Sequence, residues 1–512
     1  FVFTDTFYVI YNYYLPMKVF LLFNLAIQFG SYFYLVKYFA AIPHNHQYEA
    51  DFHRPYIDEV TFEIDQEVYT RLPEVLDVWY DAGSMPFASV HYPFDSTVDV
   101  AKTITADFVA EGLDQTRGWF YHMLIMSVAL FDTRPFNNVM VNGLLLAEDG
   151  RKMSKSLNNF PDMMPIVQTF GADALRYFLL ASPLVRADEV AFSEKALTDI
   201  QNKLFNKLTN TMSFLDMYGT IDQTSVECDK VHGKHILDSW IGVQMDMLVR
   251  EMTTHMDGYQ IDKALRPLLQ FVEELSTWYL RRSRDRFKDA EDAVIVSRTL
   301  VHVLTTVAKL MAPATPFMAE EIYQFVKRFD VSHADTYKES VHLETWPCVT
   351  SDVDQNKEQE ILAKMEKTRE VVEAVLALRN KANIKVRQPL QSLILPMDTF
   401  SNVHIHILQD ELNIKEIIVG TNDTMILDTV VTETLRIEGL ARDVIREIQS
   451  KRKDLQLIPS DTISVSIHVP DDSKDEYDQI YKIHKHMFAD IANVQTYVVV
   501  SGDVYTVEVV KI

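Results

Sequence analysis

Apolar residues recur every three or four positions through most of residues 195–330, and that period predicts helices. The spacing gives helices over 196–215, 239–256, 261–287 and 293–310. Pro313 and Pro316 then break the chain before another over 319–329. Two more strong helical patterns cover 358–381 and 433–453. The pattern is different upstream. Residues 139–146 form an apolar, β-branched run ending in an acidic-glycine turn at 148–150, as a buried strand would. Helical spacing flanks it at 116–131 and 173–181. Residues 51–100 mix short apolar runs with Pro55, Pro73, Pro86 and Pro93, which predicts strands and loops. Short strands are expected again at 393–395, 414–419, 462–469 and within 494–509. The order predicts half of a parallel α/β sheet, then a helical bundle, then a small α+β appendix.

Size agrees with that division, since 512 residues suggest about three domains. The apolar share of 47% and charged share of 24% are those of a globular protein. A net charge of −24 excludes a generally basic nucleic-acid coat but leaves room for local basic patches. Cys228 and Cys348 are the only cysteines, so neither a disulfide framework nor a cysteine-rich zinc site is expected. The first fifty residues stand apart. Val19 to Val36 carries no formal charge and just reaches the length of a membrane span. It also contains Asn24, Gln28, Gly30 and Ser31 and lacks a basic start, so no membrane attachment is expected.

Chemistry concentrates in Arg151-Lys152-Met153-Ser154-Lys155-Ser156, preceded by Asp149-Gly150. Gly150 allows the backbone to bend, and two flexible ammonium groups can follow a phosphate whose charge grows during reaction. Standing alone, such a run is more often a solvated basic turn. Upstream lies Ala110-Glu111-Gly112-Leu113-Asp114-Gln115-Thr116-Arg117-Gly118-Trp119-Phe120. Its carboxylates and amide can accept hydrogen bonds from ribose hydroxyls and an ammonium, or simply open a helix. Trp79, in Asp77-Val78-Trp79-Tyr80-Asp81-Ala82-Gly83, and Trp119 offer rigid apolar walls, although isolated tryptophans more often belong to a core.

Together with Gly171-Ala172-Asp173-Ala174-Leu175-Arg176, Asn142-Gly143-Leu144, Trp278-Tyr279-Leu280-Arg281-Arg282-Ser283-Arg284 and Ile384-Lys385-Val386-Arg387-Gln388-Pro389-Leu390, these segments resemble the second half of a class I aminoacyl-tRNA synthetase of the isoleucyl branch, over about residues 51 to 512. The resemblance implies a multidomain α/β plus α fold. A partial Rossmann-like parallel sheet would occupy 51–185, an anticodon-binding helical bundle 186–350, and a helix plus α+β appendix 351–512.

The resemblance implies ligation of L-isoleucine to tRNA(Ile) with ATP and Mg²⁺, by a cytoplasmic monomer. Lys152 and Lys155 would stabilise the transferring phosphates, with Met153, Ser154 and Ser156 in the same ATP loop. Glu111, Gly112, Asp114, Gln115, Trp79 and Trp119 would bind the aminoacyl-adenylate. Arg281, Arg282, Arg284, Arg286, Arg379, Lys385 and Arg387 would contact tRNA or lie as solvated charges. No metal site is expected in the protein itself. Two family features do not occur in the sequence: the His-x-Gly-His signature and an editing domain. The expectation is a chain that lacks the first half of the nucleotide fold and makes no adenylate alone. Valyl or leucyl specificity, a non-catalytic tRNA-binding module, and a membrane-tethered derivative are the other readings.

Overall fold

The computed structural model describes residues 54–73, 78–95, 97, 99–153, 159, 162–220, 235–330, 336–349, 355–396, 400–420, 424–458 and 461–512. The apolar stretch from Val19 to Val36 and the loop residues Ser154, Lys155 and Ser156 lie outside them. The chain forms two compact units. One takes residues up to Asp107 and returns for Asp114–Asn137; the other takes Phe108–Leu113 and everything from Asn138 onward.

The first unit opens with an antiparallel hairpin, β1 (Thr61–Ile64) against β2 (Glu67–Thr70), in register Thr61↔Thr70 to Ile64↔Glu67. Strands and loops were expected throughout 51–100. Instead the chain also forms α1 (Val78–Ala88), with Pro86 inside it, and a single turn, α2 (Val100–Thr103). Strand β3 (Ala106–Gly112), most of which belongs to the second unit, and a 3₁₀ turn (Leu113–Arg117) lead to α3 (Trp119–Phe131). Gly83 lets α1 and α3 approach closely: a Cβ there would sit 2.9 Å from Met126 Sδ and 3.0 Å from the His122 backbone. Phe87, Ile104 and Met126 form the small core beneath them, with Tyr80, Tyr92, Leu130 and Phe131 around it.

In the second unit, the strand expected at 139–146 is broken into β4 (Phe136–Asn142) and β5 (Leu145–Leu146). The break falls at Gly143, whose N–H donates to the Leu184 carbonyl at 2.8 Å. A Cβ there would lie 1.9 Å from the Asp188 carbonyl oxygen, so only glycine permits this approach. β5 pairs in parallel with β6 (Val190–Ala191), and β3 pairs with β4. Where a parallel sheet was expected, the described residues form two-stranded pieces, of which β5–β6 is parallel. Helices α4 (Met163–Phe170) and α5 (Ala172–Leu180) follow the lysine loop.

The helical bundle appears where its apolar period placed it. It contains α6 (Glu194–Ile200), α7 (Asn206–Tyr218), α8 (Ile236–Asp257), α9 (Ile261–Glu274), α10 (Ala290–Met311) and α11 (Pro316–Val326). π-helical turns at Gln201–Phe205 and Leu275–Leu280 interrupt it. Among the described residues α10 alone is long and apolar enough to cross a membrane, yet 67% of its apolar window is buried here. Its hydrophobicity is that of a bundle centre: Val296, Leu300, Leu304, Val307 and Met311 are all fully buried.

The long α12 (Gln355–Lys381) leads into two small α/β layers. In the first, β7 (Leu390–Leu395) lies between β8 (Ile414–Val419), parallel, and β9 (Ile426–Leu427), antiparallel. In the second, β10 (Ile463–Val469) lies between parallel β11 (Val494–Ser501) and antiparallel β12 (Thr506–Lys511). Their covering helices are α13 (Asn402–Leu412), α14 (Glu433–Asp454) and α15 (Lys474–Ala492). The first and last of these were not expected.

Candidate active site

The two tryptophans are fixed by each other's helices. Pro86 has no N–H to donate to the Ala82 carbonyl one turn back. That carbonyl accepts instead from the Trp119 indole N–H, at 2.9 Å. In return Trp79 on α1 lies against α3: a Cβ on Gly118 would meet its ring at 2.9 Å. The His122 imidazole faces the same indole, with centroids 5.9 Å apart and planes 17° from parallel. His122 Nδ1 bonds the Gly118 carbonyl at 2.8 Å. Trp79 remains 38% exposed, enough to present a face to a ligand.

The 3₁₀ turn sets the polar rim. Gln115 Oε1 accepts from the Trp119 backbone N–H at 2.9 Å, and its Nε2 donates to Asp114 at 3.0 Å. The amide, not a carboxylate, therefore caps α3, and Asp114 is left exposed. Glu111 and Gly112 end β3 in the second unit, Glu111 being exposed.

The lysine loop rises from a tight hairpin in the second unit. Leu146 and Lys152 form an antiparallel bridge, Ala147 N–H donates to the Arg151 carbonyl at 2.9 Å, and Gly150 N–H donates to the Ala147 carbonyl at 2.8 Å. Gly150 has φ +78°, which only glycine adopts freely, so its place in the loop is a backbone requirement. Asp149 accepts from the Arg151 backbone and guanidinium at 3.0 and 2.6 Å. That guanidinium holds the Asp149 carboxyl below the usual carboxylate range. Lys152 is exposed at the exit, and Asn159 Nδ2 closes the loop's base on the Lys152 carbonyl at 3.1 Å. Met153 packs against the core of Ile166, Phe192 and Leu197.

The basic candidates divide sharply. Arg286 and Arg379, expected among tRNA contacts, are interior residues. Arg286 is 9% exposed and forks onto Asp238 at 2.7 and 2.8 Å and onto Asp292 at 2.8 Å. Arg379 is 1% exposed and donates to the carbonyls of Lys385, Gln388, Leu412 and Asn413. Burial pulls its pKa down to about 10. Both guanidiniums are committed to protein partners in the interior. Arg281 and Arg282 both hold Glu411, at 3.1 and 2.9 Å, while Arg387 and Lys385 hold Asp443, at 2.7 and 3.8 Å. Arg284 is exposed over the Phe214 ring. Sequence reasoning missed Pro86, His122 and Asn159. Only Pro86 left a signal: a proline beside a helical period with Trp79, Gly83 and Phe87 on one face.

Residues 30–191 match the family described as tRNA synthetases class I (I, L, M and V), and residues 238–394 match the anticodon-binding domain of tRNA ligase. The isoleucine–tRNA ligase of Protochlamydia amoebophila is 37% identical over 397 residues, 76% of this chain and 37% of that protein. That of Chlamydia trachomatis serovar A is 36% identical over 427 residues, 82% of this chain and 40% of that protein. The chain thus spans about two fifths of the length of the curated relatives it matches. Among solved structures, the Agrobacterium radiobacter K84 agnB2 LeuRS–tRNA–LeuAMS complex matches with a TM-score of 0.42 and 19% identity, over 57% of this chain and 36% of that one.

Proposed function

We propose, for a chain that belongs to the class I aminoacyl-tRNA synthetases, that it supplies the lysine loop, the amino-acid pocket and the anticodon-docking bundle of an isoleucine–tRNA ligase. The carrying observation is 36–37% identity to isoleucine–tRNA ligases across 76–82% of the chain. In the reaction, the isoleucine carboxylate attacks the α-phosphorus of ATP and pyrophosphate leaves. A terminal ribose hydroxyl of tRNA(Ile) then attacks the acyl carbon and AMP leaves. Neither step needs a covalent enzyme intermediate, so the protein's work is positioning and charge stabilisation.

Lys152 and Lys155 take the growing negative charge of the departing pyrophosphate, with Ser154 and Ser156 as hydroxyl donors in the same loop. Mg²⁺ enters on the phosphate oxygens of ATP. Glu111, Asp114 and Gln115 accept from the adenylate's ribose and from the substrate ammonium, and Gly112 lets the backbone approach the ligand closely. Trp79 and Trp119 wall the aliphatic side chain. Such a wall separates isoleucine from valine by about 1–3 kcal/mol at most, a limit for which this enzyme class is the standard illustration. The cytoplasm is the proposed place of this work.

A second reading, a non-catalytic tRNA-binding module, is favoured by one observation, the match of residues 238–394 to the anticodon-binding domain of tRNA ligase. One design separates the readings. Residues 51–512 replace the matching segment of the Chlamydia trachomatis ligase, and aminoacylation is measured with isoleucine, valine and leucine. Charging with isoleucine well above the other two supports the proposal. A folded hybrid that prefers valine or leucine, or binds tRNA but charges nothing, overturns it.

A further inference from the structure

Trp119 donates its indole N–H to the Ala82 carbonyl, and α3 also meets the ring of Trp79. The edge of that ring rests on Gly118 and its face on the His122 imidazole. That imidazole cannot turn freely. Its Nδ1 must carry the proton to donate to the Gly118 carbonyl at 2.8 Å. The Tyr121 ring stands edge-on to it, with centroids 5.4 Å apart and planes 87° from parallel. Gly83 then brings α1 within reach, since a Cβ there would sit 3.0 Å from His122 Cβ. A ring fixed on α3 thus lies against an indole on α1.

We propose that His122 is a positioning residue: it sets the plane of Trp79 and through it the enzyme's choice of amino-acid side chain. The link to specificity rests on the reading of Trp79 as a pocket wall. His122 touches no substrate; it acts through the indole. A methylene-sized difference between isoleucine and valine is felt only by a surface that does not tilt. A stacked ring removes that freedom without filling the pocket.

Two measurements test this, and they fail separately. In the 512-residue chain, Trp79 emission is isolated by subtracting the Trp79→Phe variant. His122→Ala shifts that emission to the red and makes it more accessible to acrylamide. His122→Phe, which keeps a flat ring, leaves it as it was. In the hybrid ligase, His122→Ala raises the isoleucine KM by about tenfold, the lower end of one apolar contact. It also narrows the isoleucine-to-valine ratio and leaves the ATP KM unchanged, and His122→Phe restores the isoleucine KM and the ratio. A purely structural role would raise both KM values together and would not be rescued by Phe. Unchanged Trp79 emission in folded His122→Ala overturns the proposal outright. Altered emission with an unmoved isoleucine KM overturns its link to specificity. If the hybrid charges no amino acid, the ligase reading falls while the fluorescence still decides what holds Trp79.

Discussion

Pro86 cannot donate to Ala82, and the carbonyl it leaves free is the one that anchors Trp119. A residue that weakens a helix thereby orients a side chain on its neighbour. Pro86→Ala restores an N–H that competes for that carbonyl. The expected result is unchanged or greater thermal stability with weaker isoleucine binding, by about 0.5–1.5 kcal/mol, the net worth of one hydrogen bond. Isoleucine KM and the melting temperature of the hybrid ligase check both halves. At this scale the sequence was readable where backbone geometry dictates residue type, as at Gly150. It was least readable for charge. Arg286 and Arg379 look like surface cations because part of what holds each lies far off in the sequence. Asp292, Lys385 and Gln388 are local partners, but Asp238 and the carbonyls of Leu412 and Asn413 lie 48, 33 and 34 residues away.

Among elements, the Arg286 fork ties the start of α8 to the start of α10. The Arg286 hydrogen bonds hold the Asp292 carboxyl below its usual range. A carboxyl depressed in the folded state stabilises above its unfolded pKa, about 4, and loses that contribution as pH falls through the lower folded value. Acid titration followed by circular dichroism is therefore expected to give Asp292→Asn a lower starting stability and a shallower decline below about pH 4. A second joint lies between the bundle and α13, where Glu411 takes both Arg281 and Arg282. If Arg281 serves tRNA, Glu411 competes with phosphate. Glu411→Gln then steepens the salt dependence of tRNA binding by about one unit of log–log slope, as expected when one more phosphate is neutralised. A parallel shift at constant slope would make the pair purely structural. The bundle helices were legible because a buried stripe imposes its period on sequence. α13 and α15 were missed because each lies among short strand-like runs, where helical and alternating periods are hard to separate.

For the whole molecule, one segment aligns with the class I catalytic family and another with its anticodon-binding domain, and the chain's net charge of −24 is no obstacle to local RNA contact. The α/β character of the first region was legible from the strand at 139–146 and its flanking helices. The breadth of its sheet was not, because strand pairing depends on partners distant in sequence. The central proposal is that the Arg151–Ser156 loop stabilises pyrophosphate departure. The most direct measurement is isoleucine-dependent ATP–pyrophosphate exchange by the hybrid ligase, with and without Lys155→Ala. The account predicts exchange that isoleucine supports best and that Lys155→Ala slows by about 2–4 kcal/mol of barrier, the scale of one preorganised donor. Exchange at an undiminished rate in the folded Lys155→Ala protein would contradict it.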